Sequence, residues 1–204
     1  MNCIILGDKF QKGMKSKGCS ALLKINKKLN MLNNQYSVLK EIIPNINITY
    51  VYGFDGKRLL EYYTNNELSI SLVLNEKYNL HNQVFSLSLT NHLFQDSVLV
   101  VDGYKQLNKK IFKKFDQDNG SQIFITNNIN KDNYVPGCTA IDNKIEYFSF
   151  DLDNNIANIY YFSKADASAI QNLLTQEKYY NSFIFEILNR AIENGIHFKP
   201  LIVD

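Results

Sequence analysis

The sequence has few of the residues that build metal centres and disulfide frameworks. Its 204 residues include three cysteines and three histidines. Cys3, Cys19 and Cys138 are odd in number and lack CxxC spacing, which argues against a disulfide scaffold or a zinc site and fits a reducing compartment. The histidines lie far apart in the sequence, so we expect them to be solvated or at the edge of the core rather than metal ligands. We therefore expect a cytoplasmic protein.

Long apolar runs and a strong net charge are also missing. No stretch approaches 18 consecutive apolar residues, so we expect no membrane span. The opening MNCIILGD has neither a basic region nor a cleavage site of small residues, so we expect no signal peptide. The formal net charge is only +2, with no basic stripe, and we expect no nucleic-acid partner. The oligomeric state is not encoded in any pattern that we recognise.

The first half of the chain alternates short apolar runs with helical patterns. Apolar residues recur at helical spacing in 32–43, and helical patterns also occur in 55–64 and 81–94. The runs between them have the length and composition of buried strands: NCIIL (2–6), NITYVYG (47–53), SISLVLN (69–75) and SVLVVDG (97–103). This alternation predicts a parallel sheet with helices on both faces.

The second half is richer in strands. Four segments read as strands: 121–127, 139–151 with a turn at DNK (142–144), 158–164 and 197–204. Helical patterns cover 165–174 and a segment that ends near Gly195. With no linker visible, we predict a single α/β domain over residues 1–204, with a mixed, mainly parallel sheet.

The loop after the first strand is the candidate for binding phosphate. It carries four lysines, Lys9, Lys12, Lys15 and Lys17, against the single acidic residue Asp8. Its glycines, Gly7, Gly13 and Gly18, would let backbone amides approach an anion. The alternative is a flexible basic surface loop, because neither GxxxxGK[ST] nor GxGxxG is present.

Several segments resemble the sugar-phosphate and phosphocholine nucleotidyltransferases. ILGDKFQKGM followed by CSALLKI is similar to their L-A-A-G-x-G-x-R-M and P-K-x-L-L-x-I. NEKYNLHNQVFSLSL (75–89) is similar to the cytidylyltransferase segment N-x-K-Y-x-x-x-N-x-x-x-(S/T)-(M/L)-x-L. The similarity continues, in order, through nearly the whole chain. It implies a nucleotidyltransferase fold, which is GT-A-like and Rossmann-like.

The resemblance implies transfer of a nucleoside monophosphate to a phosphorylated small acceptor. The donor would be a nucleoside triphosphate, with CTP or UTP favoured, the acceptor a sugar phosphate or phosphocholine, and the cofactor Mg²⁺. The protein would supply positioning and charge. Residues 1–116 would form the nucleotide-binding half, and 117–204 the acceptor-side half, with the acceptor near Gly137 to Thr139.

The resemblance also assigns roles to individual residues. The phosphates of the nucleotide would contact the strand end and its amides at Leu6, Gly7, Asp8 and Lys9, and the base would contact Asn79 and Asn82. The charge of the leaving pyrophosphate would be offset by Lys12, Lys15 or Lys17. The Mg²⁺ ion would be held by Asp102 and Asp204. Three of these residues have a simpler alternative: Asp102 as a strand-end turn residue, Asn82 as a helix cap, and Asp204 as a frayed terminus.

The chain departs from the family pattern at three points. Lys9 and Gln11 stand at glycine positions and Gly13 at the arginine position, Cys19-Ser20 replaces Pro-Lys, and Asp102-Gly103-Tyr104 replaces Gly-Asp. Lysines would substitute only as point charges without an arginine's bidentate fork. These departures leave a second hypothesis open, in which the fold has lost catalysis and serves as a binding or structural module.

Overall fold

A mixed nine-stranded sheet is the centre of the computed structural model, which describes residues 1–10, 13, 15–66, 68–127 and 135–203. Within those residues the strands are β1 (Asn2–Leu6), β2 (Asn47–Tyr52), β3 (Ser71–Leu74), β4 (Val98–Asp102), β5 (Gln122–Thr126), β6 (Pro136–Ile141), β7 (Lys144–Phe150), β8 (Asn154–Phe162) and β9 (Lys199–Ile202). The α-helices are α1 (Met31–Ile42), α2 (Gly56–Thr64), α3 (Gln83–Ser88), α4 (Lys164–Leu174) and α5 (Ile184–Glu193).

The strand order confirms the predicted α/β sheet. The strands follow the order β3-β2-β1-β4-β8-β5-β9. Four of the six neighbouring pairs along this order are parallel, whereas β8 runs antiparallel to both β4 and β5. β6 pairs antiparallel with β7 and with the start of β8. The sheet is therefore mixed and mainly parallel along its length.

Helices cover both faces of the sheet, as predicted. Ile4 and Leu6 of β1 belong to an apolar cluster that includes buried residues of α3, α4 and α5. Cys3 and Ile5 point the other way, into a second cluster with buried residues of α1 and α2. This alternation is the period of two that a strand buried on both faces requires. In the described part of the chain, no helix is long and apolar enough to cross a membrane.

The turn predicted at 142–144 is confirmed, but the helix predicted at 81–94 is wrong in its length. Asp142 and Asn143 both have positive φ, 49° and 61°, as a tight hairpin turn between β6 and β7 requires. In contrast, α3 ends at Ser88 and a separate 3₁₀ turn spans Asn91–Gln95. The hydroxyl of Thr90 donates to Leu87 O, and that of Ser88 to Phe85 O. These side-chain bonds compete with the backbone hydrogen bonds of a helix, so α3 ends at Ser88.

Close backbone packing brings the ends of β1 and β4 together. Leu6 pairs with Asp102 in the parallel register, and the amide of Gly103 donates to Leu6 O at 2.9 Å. A Cβ on Gly103 would lie 2.6 Å from Gly7 Cα and 2.7 Å from Leu6 O. Real Cβ atoms do not approach backbone so closely, so this position requires glycine.

We expect Gly103→Ala to destabilise the protein by about 2 kcal/mol or more, because the added methyl group must displace backbone. Gly56→Ala is the matched control: its Cβ would meet only the ring of Tyr52, at 2.8 Å, and alanine favours the first turn of α2. Urea denaturation of both variants measures the difference. A loss of stability in Gly103→Ala no greater than that in Gly56→Ala would contradict the tight packing of the strand ends.

Candidate active site

Asp8 and Asp102 follow neighbouring strands at the same edge of the sheet. Asp8 lies two residues beyond Leu6, the last residue of β1, and Asp102 ends β4. Gly7 donates its amide to Val51 O at 3.0 Å, which continues the β1–β2 pairing past the strand end. The ends of parallel strands are where open α/β sheets bind ligands.

Asp8 is buried in a polar network that the loops after β1 and β3 share. Its Oδ2 accepts hydrogen bonds from Asn75 Nδ2 and Ser86 Oγ, each at 2.8 Å, and the residue is 2% exposed. Burial raises the pKa of Asp8, while Ser86, the Lys9 charge and Asn75 lower it in part. The network ties β1, the residue after β3 and α3 into one rigid unit.

Lys9 fastens the first loop to the loop after β3. Its ammonium donates to Tyr78 O at 2.8 Å and to His81 O. Burial lowers the pKa of Lys9, and the Asp8 charge opposes that shift. The ring of Phe54 packs between Phe10 and Tyr78, with centroid distances of 4.9 and 6.2 Å, so aromatic contacts reinforce the same junction.

Replacing the Lys9 ammonium should loosen this junction. In Lys9→Met we expect faster amide hydrogen exchange in the peptide covering 76–82, since two carbonyls lose a charged donor worth roughly 1 kcal/mol or more. Lys15→Met is the control, because Lys15 lies in the same loop and, within the described residues, its ammonium lies 5.9 Å from the centroid of the Phe10 ring rather than on a carbonyl of 76–82. Unchanged exchange in Lys9→Met would mean that the aromatic contacts alone hold the loop.

The turn that follows β4 connects Asp102 to the first loop. Its Oδ1 accepts from the amide of Tyr104 at 2.7 Å, and the Tyr104 hydroxyl donates to Lys9 O at 3.2 Å. Burial raises the pKa of Asp102 to about 6; the Asp8 charge adds to the shift, while the Tyr104 amide and the Lys105 charge oppose it. Burial also lowers the pKa of Lys105, whose charge interacts with that of Asp102. Lys105 therefore brings a cation to the site.

The raised pKa of Asp102 predicts a pH-dependent loss of stability. The folded protein holds this proton more tightly than the unfolded chain, whose Asp has a pKa of about 3.9, so the stability contributed here falls as the pH rises from about 4 to 6. Asp102→Asn should then be more stable than the wild type at pH 7.5, by on the order of 1–2 kcal/mol, with the gain shrinking towards pH 4. Urea denaturation across this range measures it.

The exposed Asp153→Asn variant is the control for loss of one surface charge. A stability difference between Asp102→Asn and the wild type that stayed constant from pH 4 to 7.5 would contradict a titrating, buried carboxyl group.

An aromatic pocket lies on the other side of Asp102. Val101 pairs with Ile159, so the next position along β8, Asn158, stands across from Asp102. Asn158 has a positive φ of 58°. The pocket has a volume of about 450 Å³, and its wall includes Gln83, Phe150, Asn158, Tyr160, Phe183 and Phe185. Burial raises the pKa of Tyr160, and the Asp102 charge adds to the shift, which places the phenol within electrostatic reach of that carboxylate.

The lysine that the family resemblance puts in the first loop is replaced by a buried serine. Ser20 is 0% exposed, and its hydroxyl lies 2.7 Å from the Tyr50 hydroxyl and donates to Gly7 O at 3.3 Å. A Cβ on Gly7 would collide with the Tyr50 phenol. Ser20 and Tyr50 therefore fill the space beneath Gly7, and no cation comes from this position.

The remaining predicted residues are spread around the site. Lys15 and Lys17 bound an exposed 3₁₀ turn, and Lys17 lines a separate groove with Arg58. Asn79 is exposed on the turn after β3. Asn82 stands at the N-cap position of α3, but its side chain does not cap the helix and instead donates to Asn181 O at 3.2 Å. Lys12 and Asp204 lie outside the described residues, so their predicted roles stay predictions.

Sequence reasoning missed Asn158 and the phenylalanines of the aromatic pocket, and it missed four further residues that the fold brings to the site. Asn75 carried a detectable signal, since it directly follows β3 and strand ends meet at one edge. The other three, Ser86, Lys105 and Tyr160, become visible only when α3, the β4 turn and β8 are placed in space. The strand β8 comes late in the chain yet lies next to β4.

The described residues contain no group of three or more His, Cys, Asp or Glu side chains that could hold a metal ion. At this edge of the sheet, the described residues offer a metal ion the single carboxylate of Asp102, because the carboxylate of Asp8 accepts hydrogen bonds from Asn75 and Ser86. Mg²⁺ is commonly bound by one or two carboxylates together with substrate phosphates and water, so this donor set fits that ion when a polyphosphate is present.

No protein-family model matches the sequence, and no curated protein matches it. Solved structures do match over the whole chain. The CTP:phosphocholine cytidylyltransferase from Streptococcus pneumoniae is 16% identical, with a TM-score of 0.79, covering 100% of this chain and 90% of that one.

Two further structures show the same likeness. The nucleoside-diphosphate-sugar pyrophosphorylase from Vibrio cholerae is 10% identical, with a TM-score of 0.75 and coverage of 100% and 92%. The inositol-1-phosphate CTP transferase from T. maritima is 13% identical, with a TM-score of 0.74 and coverage of 99% and 85%. At these identities the likeness establishes architecture, and it confirms the resemblance seen in the sequence: this chain has the nucleotidyltransferase fold.

Proposed function

We propose that the protein transfers a nucleoside monophosphate from CTP or UTP to a small phosphorylated acceptor and releases pyrophosphate. The observation that carries the proposal is the position of Asp102. It lies between the loop after β1, on one side, and the aromatic pocket beside Asn158, on the other. A donor phosphate and an acceptor phosphate held on the two sides would meet at this carboxylate, and positioning is the main requirement of such a transfer.

The nucleotide half of the proposal rests on the first loop and the loop after β3. The triphosphate would lie along Leu6 to Lys9, with Gly7 giving room because no side chain fits there. Lys12, Lys15 and Lys17, joined by Lys105, would offset the charge of the leaving pyrophosphate. Asn79 and Asn82 would face the base. Asp102, with Asp204, would hold Mg²⁺, which supplies charge neutralisation on the phosphates when bound.

The acceptor half of the proposal rests on the aromatic pocket. Its described wall has three phenylalanine rings, Phe150, Phe183 and Phe185, and no lysine or arginine. The rings of Phe150 and Phe185 meet edge to face at 5.2 Å, and those of Phe183 and Phe185 stack at 5.8 Å. Aromatic faces attract quaternary ammonium groups, whereas a sugar needs several hydrogen-bonding partners. The pocket therefore favours phosphocholine over a sugar phosphate as the acceptor.

Pyrophosphate release tests the proposal. The protein is incubated with Mg²⁺, each of CTP, UTP, ATP and GTP, and either phosphocholine or glucose 1-phosphate. We expect release with a pyrimidine nucleotide and phosphocholine, lowered at least 100-fold in Asp102→Ala, which removes the carboxylate from between the two substrates. Phe185→Ala should raise KM for the acceptor more than for the nucleotide. Asp153→Asn should retain the wild-type rate.

The second hypothesis, a binding module without turnover, draws support from the buried Ser20 that replaces the lysine. Tight nucleotide binding by calorimetry without pyrophosphate release from any pair would contradict the transfer proposal and favour this module. Release that survives Asp102→Ala would contradict the role proposed for that carboxylate.

A further inference from the structure

A basic groove lies between the first loop, the segment 22–25 and the start of α2. Its volume is about 640 Å³, which is larger than that of the aromatic pocket. Three cationic side chains line it: Lys17, Lys24 and Arg58. Its described wall contains no carboxylate, and Gln106 adds an amide. Pockets of this volume that combine an apolar wall with a few polar groups are typical of sites for small organic molecules.

The floor of the groove is apolar. Leu22, Leu23, Ile25 and Met31 contribute to its wall, and Met31 is 8% exposed. Backbone hydrogen bonding holds the segment 22–25 in place: Lys24 and Asn30 form an isolated antiparallel β-bridge, and the amide of Met31 donates to Leu23 O at 2.9 Å. The groove thus combines a preformed apolar wall with three cationic side chains.

The positive charge here is concentrated rather than spread over the molecule. Residues 1–60 carry ten Lys and Arg against three Asp and Glu, whereas residues 61–204 carry twelve against seventeen. Arg58 bonds Asp55 at 3.1 Å, and within the described residues neither Lys17 nor Lys24 forms an ion pair. An anion in the groove would therefore meet two cations without a competing carboxylate, Lys17 and Lys24, while Asp55 shares the guanidinium of Arg58.

The groove is distinct from the site beside Asp102. The 3₁₀ turn Ser20–Leu22 stands between them: the buried Ser20 contacts Gly7 on the inner side, while the half-buried Leu22 lines the groove. The wall of the groove includes neither Asp8 nor Asp102. Lys17 is the one residue that the two proposed sites share, so it is unsuitable for separating them.

We propose that this groove is a second binding site, for a small organic anion with an apolar body, such as an organic phosphate or carboxylate. The anionic group lies among Lys17, Lys24 and Arg58, and the apolar body lies on Leu22, Leu23 and Met31. Because Lys17 belongs to the first loop, the site lies next to the segment proposed to hold the nucleotide.

Binding of 8-anilinonaphthalene-1-sulfonate, an organic anion with an apolar body, tests the proposal. Fluorescence titration at physiological salt should show saturable binding of one dye. Lys24→Glu and Arg58→Gln should each raise Kd at least fivefold. Lys28→Glu is the matched control: it makes the same change of charge on the exposed tip of the same segment, outside the groove, and should alter Kd less than twofold.

Displacement of the dye separates the two sources of anion. Octyl phosphate and octanoate share a tail and differ in the head group, so the stronger competitor shows whether the site prefers a phosphate or a carboxylate. Inorganic phosphate lacks the tail and should compete at least tenfold more weakly than that competitor. Equal effects of Lys24→Glu and Lys28→Glu would overturn the proposal. So would a loss of dye binding in Phe183→Ala, which alters only the aromatic pocket, or competition by inorganic phosphate as strong as that by either octyl compound.

Discussion

The close approach of Gly7 and Gly103 is the constraint on which the site depends. A hydrogen bond from the Gly103 amide to Leu6 O draws the end of β4 against the end of β1, and no side chain fits between them. The consequence is that Asp8 and Asp102 leave the sheet close enough to influence each other's charge, with the first loop above one and the aromatic pocket beside the other. A larger residue at Gly103 would push the two strand ends apart and, with them, the two halves of the site, whereas one at Gly7 would collide with the Tyr50 phenol.

The two carboxylates at this edge have different surroundings and therefore different roles. Asp8 receives hydrogen bonds from Asn75 and Ser86, and this pairing offsets the cost of burying it. Among the described residues, the Tyr104 amide donates to Asp102 Oδ1, and burial raises the pKa of Asp102 to about 6 despite this bond. An enclosed carboxylate with incomplete compensation gains from a cation that arrives with a ligand. Asp8 is thus a structural tie between loops, whereas Asp102 is the candidate for chemistry.

The order of strands and helices was predictable because local patterns carry it. Buried parallel strands read as continuous apolar runs, and Asp142-Asn143 occupies a turn whose positive φ angles suit those residues. The end of α3 was not predictable in the same way, because periodicity continues through Leu89 and Leu93 while the hydroxyls of Ser88 and Thr90 break the helix.

The neighbours of Asp102 were hidden for a different reason: Tyr160 and Asn158 reach it through a pairing between β4 and β8, which are separated by about 60 residues. Local sequence patterns do not contain such a pairing.

The replacement of a lysine by Ser20 changes how the first loop can handle charge. A lysine at position 20 would have to place its stem where the Tyr50 phenol now lies beneath Gly7. The small serine and the tyrosine therefore fill this space together. The cation lost from that position has no direct replacement in Lys9, because its ammonium is bound by two carbonyls of the loop after β3. Lys105 does bring a cation within electrostatic reach of Asp102, from the turn after β4 rather than from the first loop. Charge at the phosphate end would thus come from the turn after β4 as well as from the outer lysines of the first loop. Gly7 and Lys9 shape the site itself, and Lys17 belongs both to the proposed phosphate end and to the groove beyond it.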